Sequence, residues 1–327
     1  MTSASPFTQD VLDAESLGEP ETPMQQALGY FRRDRLAMLG FGVLAVLLVL
    51  AIVGKVLTEW WVVFDPATIR LQDKLLPPLS APSAGLAADR LLFFNGYLLG
   101  TDELGRSVLA RMLQGSFVSL SIGLVAVSIS VVIGVWLGGV AGYYGQRKLG
   151  PISVDTLIMR FTDVVMCFPS FFLILTVVAL LPPSIFFVMI VIGATSWMGT
   201  ARFVRAEFLA LREQEFVVAA RALGLPEWRI IFRHMLPNAM APVFVSSSID
   251  VAGAILTESA LSFLGFGVQP PHATWGNILA DGRVYIFDAP WLFVVPGAAI
   301  LIVVLAFNLV GEGLREAFSP RLRKRAG

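Results

Sequence analysis

Charge is scarce in this chain. Of its 327 residues, 15% are charged and 56% hydrophobic, and the mean hydropathy is +0.75. Soluble domains carry about a quarter charged residues, so a water-soluble globule is excluded. Cysteine is almost absent too: Cys167 stands alone, which rules out an internal disulfide or a cysteine-clustered zinc site. Set in an apolar run, it reads as a buried, inert thiol. The only histidines, His234 and His272, are too few for a His-paired metal site or a Ser-His-Asp hydrolase. A phosphate-binding G-x-x-x-x-G-K-[ST] loop is also missing. The one Gly-Lys pair, Gly54-Lys55, is followed by Val56, and Val49 stands where the first glycine belongs. No cofactor or metal is therefore expected in this chain. The net formal charge of zero makes no case for nucleic acid as a partner. The polar first 35 residues lack the apolar core of a signal peptide.

Apolar runs are plentiful. A bilayer-spanning helix takes about 20 apolar residues, and six such runs stand out, at 36–57, 117–142, 156–181, 185–201, 241–266 and 291–311. The sequence thus predicts an all-α, polytopic membrane protein with six transmembrane helices. Pro182-Pro183 makes the third and fourth a tight hairpin. Placing the N-terminus inside leaves Lys55, Arg70, Lys74, Arg90, Arg106, Arg111 and Arg283 outside, and the other seventeen of the 24 Lys and Arg inside. Both termini are therefore expected in the cytoplasm. The organisation follows as a tail at 1–35, a first span at 36–57, an extracytoplasmic loop at 58–114, a five-helix core at 115–311 and a basic tail at 312–327. Within the loop, 100–111 reads as an amphipathic helix with Thr101 as N-cap and Asp102 and Glu103 in its first turn. Gly134, Gly138 and Gly142 form a small-residue seam for close helix packing, read as contact within the chain.

Between the fourth and fifth spans lies a polar, basic stretch. Helix formers run from Arg205 to Leu223, Gly224 suits a left-handed stop, and Pro226 suits the first turn of a second helix. That second helix is expected to end near Met235, ahead of Pro237. Trp228, Ile231, Phe232 and Met235 share one of its faces, with Arg229 and Arg233 on another. Such a helix either lies on a lipid surface or inserts into a groove of a partner protein.

Two carboxylates fall inside the fifth span. At about 100° per residue, Ser247, Asp250, Ala254 and Thr257 share a narrow face, and Glu258 lies about 80° from Asp250. These residues line a substrate path or form a structural network; the path is favoured for Asp250 and structure for Glu258. Arg160 and Asp163, at i and i+3, are expected to pair at the base of the third span.

The stretch Ala219-Ala220, then Gly224, then Leu236-Pro237 resembles the "EAA" loop of ABC importer permeases, here at 202–240. Gly100-Thr-Asp-Glu-Leu-Gly-Arg-Ser-Val-Leu-Ala-Arg111, Arg160-Phe-Thr-Asp163 with Phe168-Pro169, Arg233-His-Met-Leu-Pro-Asn238 and Leu261-Ser-Phe-Leu-Gly-Phe-Gly-Val-Gln-Pro-Pro271 with Trp275-Gly276 resemble one branch of it. That branch is the second ("C") permease of dipeptide, oligopeptide and nickel importers, and the similarity runs from Phe31 onward. One departure is Val218, where the family's motif carries glutamate; Glu215 lies one turn earlier. The resemblance implies import of peptides, or of nickel or another small solute, across a bacterial inner membrane. It also implies a homologous second permease, two ATPase subunits holding ATP and Mg, and an extracytoplasmic binding protein. By the same resemblance Glu215, Ala219, Ala220, Gly224, Glu227, Trp228, Arg229, Arg233, Leu236 and Pro237 make up the ATPase-coupling loop. An ion-coupled carrier using Asp250 or Glu258 is the alternative from another class.

Overall fold

The computed structural model describes residues 23–61, 65–83 and 97–318. Residues 1–22 of the expected tail at 1–35 and 319–327 of that at 312–327 therefore lie outside the described residues, as does Arg90, while 23–33 and 312–318 are helical. Among the described residues the fold is all-α apart from one antiparallel ribbon, β1 (Lys148–Leu149) with β2 (Ile152–Ser153). Five helical segments among the described residues are long and apolar enough to cross a membrane, or six if one bent pair counts as a span.

Helix starts follow their caps. α1 (Pro23–Arg33) gives way to α2 (Arg35–Lys55) at Asp34, whose carboxylate accepts from the Leu36 and Ala37 amides at 2.9 and 3.3 Å. α3 (Val108–Tyr144) begins at the Ser107 cap, later than the sequence suggested. Thr101 and Asp102 do not open a helix. Thr101 accepts from the Leu76 amide at 2.7 Å. Asp102, fully buried, accepts from the Leu104 and Arg106 amides at 2.9 and 2.8 Å and from the Arg106 and Arg111 guanidiniums at 2.6 and 2.7 Å. A buried carboxylate must fill its lone pairs, and two guanidiniums fill them better than a helix N-terminus would. Arg111 also reaches Asp281 at 2.9 Å, tying this loop to the end of the bundle away from the hairpin. Nearby, burial pushes the Asp73 carboxyl up, but hydrogen bonds from Ser83 and Tyr97 and the charge of Arg70 hold it below its usual value.

α3 is the central pillar. Along it packs α7 (Trp197–Arg212), which continues α6 (Ile185–Ala194) as one long segment. The glycine seam is an intrachain contact: Gly134 abuts Thr200, Gly138 abuts the Ala201 carbonyl and Val204, and Gly142 abuts Phe208. A Cβ at Gly134 would stand 2.6 Å from that of Thr200. The expected third span is instead two helices, α4 (Val154–Met166) and α5 (Ser170–Leu180), meeting at 80°. Pro169 causes the break, since it lacks an N–H and disfavours helical geometry at Phe168. Cys167 sits at this elbow and is exposed, not buried. Asp155 and Asp163 of α4 bind Arg205 and Arg202 of α7, so Asp163 serves two arginines, with Arg160 at 3.7 Å.

The hairpin comprises α8 (Glu215–Ala222) and α9 (Glu227–Arg229). The second helix does not stop at Met235. It passes through a π turn, Ile230–Met235, into α10 (Leu236–Phe263), forming one continuous segment from Glu227 to Phe263. The Leu236 amide bonds the Ile231 carbonyl, five residues back, and the wider turn accommodates Pro237 near the start of α10. Pro226 stands just ahead of α9 as its cap. α11 (Trp275–Gly282) starts at a Thr274–Asn277 capping box, and α12 (Trp291–Phe318) packs against α2 and α10.

Candidate functional site

The hairpin is built around a textured inside and a bare outside. Val217, Ala220, Ile230 and Met235 are buried against Tyr143, Val204 and Phe208 of α3 and α7. α8 closes with both bonds of a Schellman motif: the Leu225 amide to the Ala220 carbonyl at 3.2 Å and the Gly224 amide to the Arg221 carbonyl at 3.0 Å. This requires a left-handed residue at the turn, and Gly224 has φ +73°. A Cβ there would meet nothing within 4 Å, so the demand is conformational, not steric crowding.

Of the residues singled out from sequence, Glu215, Ala219, Gly224, Glu227, Trp228, Arg229, Arg233 and Pro237 are exposed. Ala220 is buried and Leu236 half-buried, so both support the hairpin from within. Glu227 is held by Arg147 at 2.8 Å, whereas Glu215 and Arg233 have no partner among the described residues. The expected single apolar face of the second helix is split. Met235 enters the core, while Trp228 and Phe232 stay 61% and 64% exposed, because the π turn shifts the helical phase between them. Trp228 and Phe232 line an open apolar groove of about 510 Å³ with Val132, Trp136 and Val140 of α3. The residue that sequence reasoning missed is Leu223, 81% exposed at the turn. With Phe216 and Ala219 it forms an i, i+3, i+7 face on α8, a spacing visible in the sequence. Val218, at the motif glutamate's position, is 51% exposed.

The α10 polar face is also divided. Ala254 and Glu258 are buried, on the flank that packs into the body. Glu258 is fully enclosed and accepts from the Ser262 hydroxyl at 2.7 Å; Gly276 of α11 packs on the adjacent Ser259 backbone. It therefore stands apart from the open face. Ser247 and Thr257 bond their own helix, to the Val243 and Gly253 carbonyls at 2.7 and 2.8 Å. Asp250 is exposed and has no hydrogen bond or ion pair among the described residues. No group of three or more His, Cys, Asp or Glu suited to a metal ion occurs among them either.

Comparison with known proteins decides the family. Residues 130–324 match the family described as "Binding-protein-dependent transport system inner membrane component", and residues 22–78 match the "N-terminal TM domain of oligopeptide transport permease C". The chain belongs to this permease family. Its relatives include the dipeptide transport system permease protein DppC of Alkalihalophilus pseudofirmus, 36% identical over 92% of this chain and 91% of that one. The oligopeptide transport system permease protein OppC of Bacillus subtilis is 32% identical, covering 98% and 97%. A putative peptide transport system permease protein of Brucella suis is 40% identical, covering 85% and 86%. A chain of the MetNI methionine ABC transporter in an inward-facing conformation is similar over 64% of this chain and 97% of its own, at 18% identity and a TM-score of 0.47. The permease reading from sequence thus stands: this is a multi-pass permease component of an inner-membrane transport system.

Proposed function

We propose that this permease is one of two homologous halves of an ATP-driven importer, carrying dipeptides or oligopeptides handed over by an extracytoplasmic binding protein. Both chain ends and the hairpin lie in the cytoplasm, as the arginine and lysine distribution supports. The observation that carries the reading is the hairpin, locked into the body on its inner face and bare on its outer one. Two ATPase subunits, which hold ATP and Mg, power the transporter, and one of them docks on the bare face of this hairpin. Leu223, Phe216 and Ala219 supply apolar contact, Glu215 and Arg233 supply unpaired charge, and Val218 substitutes an apolar contact for the motif glutamate's charge.

The geometry suits transmission. One arm of the hairpin is continuous with α10 from Glu227 to Phe263, so a displacement at the turn is delivered to the polar face around Asp250. The other arm, α8, follows α7, which is gripped by the α3 glycines and by the aspartates of α4. Rigid arms of this kind move as bodies, which is what alternating access requires. The names of the relatives support peptides as cargo.

Reconstitution tests this. Vesicles holding this chain, the second permease and both ATPases should take up a labelled tripeptide from the binding protein only with ATP and Mg. The purified chain alone should hydrolyse no ATP. Uptake driven by an ion gradient without the ATPases would contradict the proposal.

A further inference from the structure

Ser246, Asp250, Gly253 and Thr257 follow one another along α10 at intervals of four, three and four residues. At about 100° per residue, all four fall within a sector of about 60°. Ser246 and Thr257 are half-buried, Asp250 and Gly253 exposed, and a Cβ at Gly253 would meet nothing within 4 Å. Both hydroxyls donate to their own helix, to the Val243 and Gly253 carbonyls at 3.0 and 2.8 Å, which leaves their oxygens free to accept. The polar side chains of this strip, Ser246, Asp250 and Thr257, therefore offer acceptors to whatever faces them, and Gly253 leaves space between them.

Asp250 is the unusual member. Asp102, Asp155, Asp163 and Asp281 each bind an arginine, and Asp250 binds nothing among the described residues. It lies midway along a membrane-crossing helix, where a bare carboxylate against hydrocarbon is costly and such groups face a water-filled cavity or a partner. Exposed Ile249 and Leu256 on the flank return the surface to apolar character. We propose that the strip faces the water-filled path between the two permease halves, and that Asp250 receives the protonated amino group of a passing peptide. An ammonium carries three donors and no acceptor. It matches the Asp250 carboxylate with the Ser246 hydroxyl oxygen one turn away, whereas a metal ion needs more ligands than a single carboxylate supplies. The inference rests on the reading of this chain as a peptide permease half.

The test uses the complete transporter, with Cys167 replaced and Gly253→Cys introduced, in vesicles already shown to take up peptide with ATP. Verified uptake separates failure here from failure of the transport reading. Water-soluble cationic and anionic thiosulfonates are applied during turnover. Relative to a free thiol, the cationic reagent should be favoured about tenfold, and that preference should vanish with Asp250→Asn. Millimolar Ala-Ala should slow the reaction, N-acetyl-Ala-Ala should not, and Asp250→Asn should abolish the difference. A cysteine inert to both reagents would overturn the water-filled strip. A reactive cysteine without charge preference, or with equal protection by the two peptides, would overturn amino-group binding.

Discussion

At the residue scale, small side chains set how closely the permease's helices approach. The Gly138 Cα stands so near the Ala201 carbonyl that no Cβ fits without moving backbone, while Gly42 on α2 faces open space. Backbone cannot yield as a flexible side chain can, so Gly138→Ala should force α3 and α7 apart. The expected cost is about 1–3 kcal/mol, the usual range for overpacking. Gly42→Ala should stay within about 0.5 kcal/mol. Thermal unfolding in detergent compares the two, and equal melting temperatures would contradict the seam. Gly224 works differently, since its neighbourhood is empty and only its positive φ excludes other side chains.

At the element scale, ion pairs fix α4 to α7. The Asp155–Arg205 pair is less exposed than Asp163–Arg202, with side chains 26% and 31% exposed against 42% and 46%. Solvent screening weakens the second more. Double-mutant cycles on unfolding should give a coupling of about 1 kcal/mol for the first and about half that for the second; the reverse order would contradict this packing. Much at this scale was legible in sequence. The glycine seam, the Gly224 turn and the apolar runs follow from residue type and spacing alone. Two features were not. Pro169 breaks a run that hydropathy reads as continuous, because hydropathy sums side chains and ignores the missing N–H. Pro237 reads as a stop, yet the π turn ahead of it absorbs the missing bond and carries the helix through. That single irregularity also separates Met235 from Trp228 and Phe232. On α10, the 100° arithmetic gave the polar face but could not say which flank the rest of the chain would cover, so Ala254 was placed on a face that the fold covers there, while Glu258, set about 80° away, is enclosed. Which residues of the hairpin stay bare depends on tertiary burial in the same way, and Leu223 emerged only there.

At the scale of the whole molecule, one continuous helix joins two faces: a bare hairpin at one end and an open polar strip at mid-span. The hairpin is the link on which the rest depends. Valine at Gly224 would have to adopt a left-handed backbone, at a cost of about 1–2 kcal/mol. That is enough to shift the folded turn by a factor of about 5–30. Nothing crowds this position, so the membrane helices should be unaffected. The most direct measurement is co-purification of the ATPase subunits and the second permease with this chain, as wild type and as Gly224→Val, at matched expression. The docking role predicts that the variant keeps the second permease but recruits the ATPases poorly and loses ATP-driven peptide uptake. Full ATPase retention with wild-type uptake would contradict it.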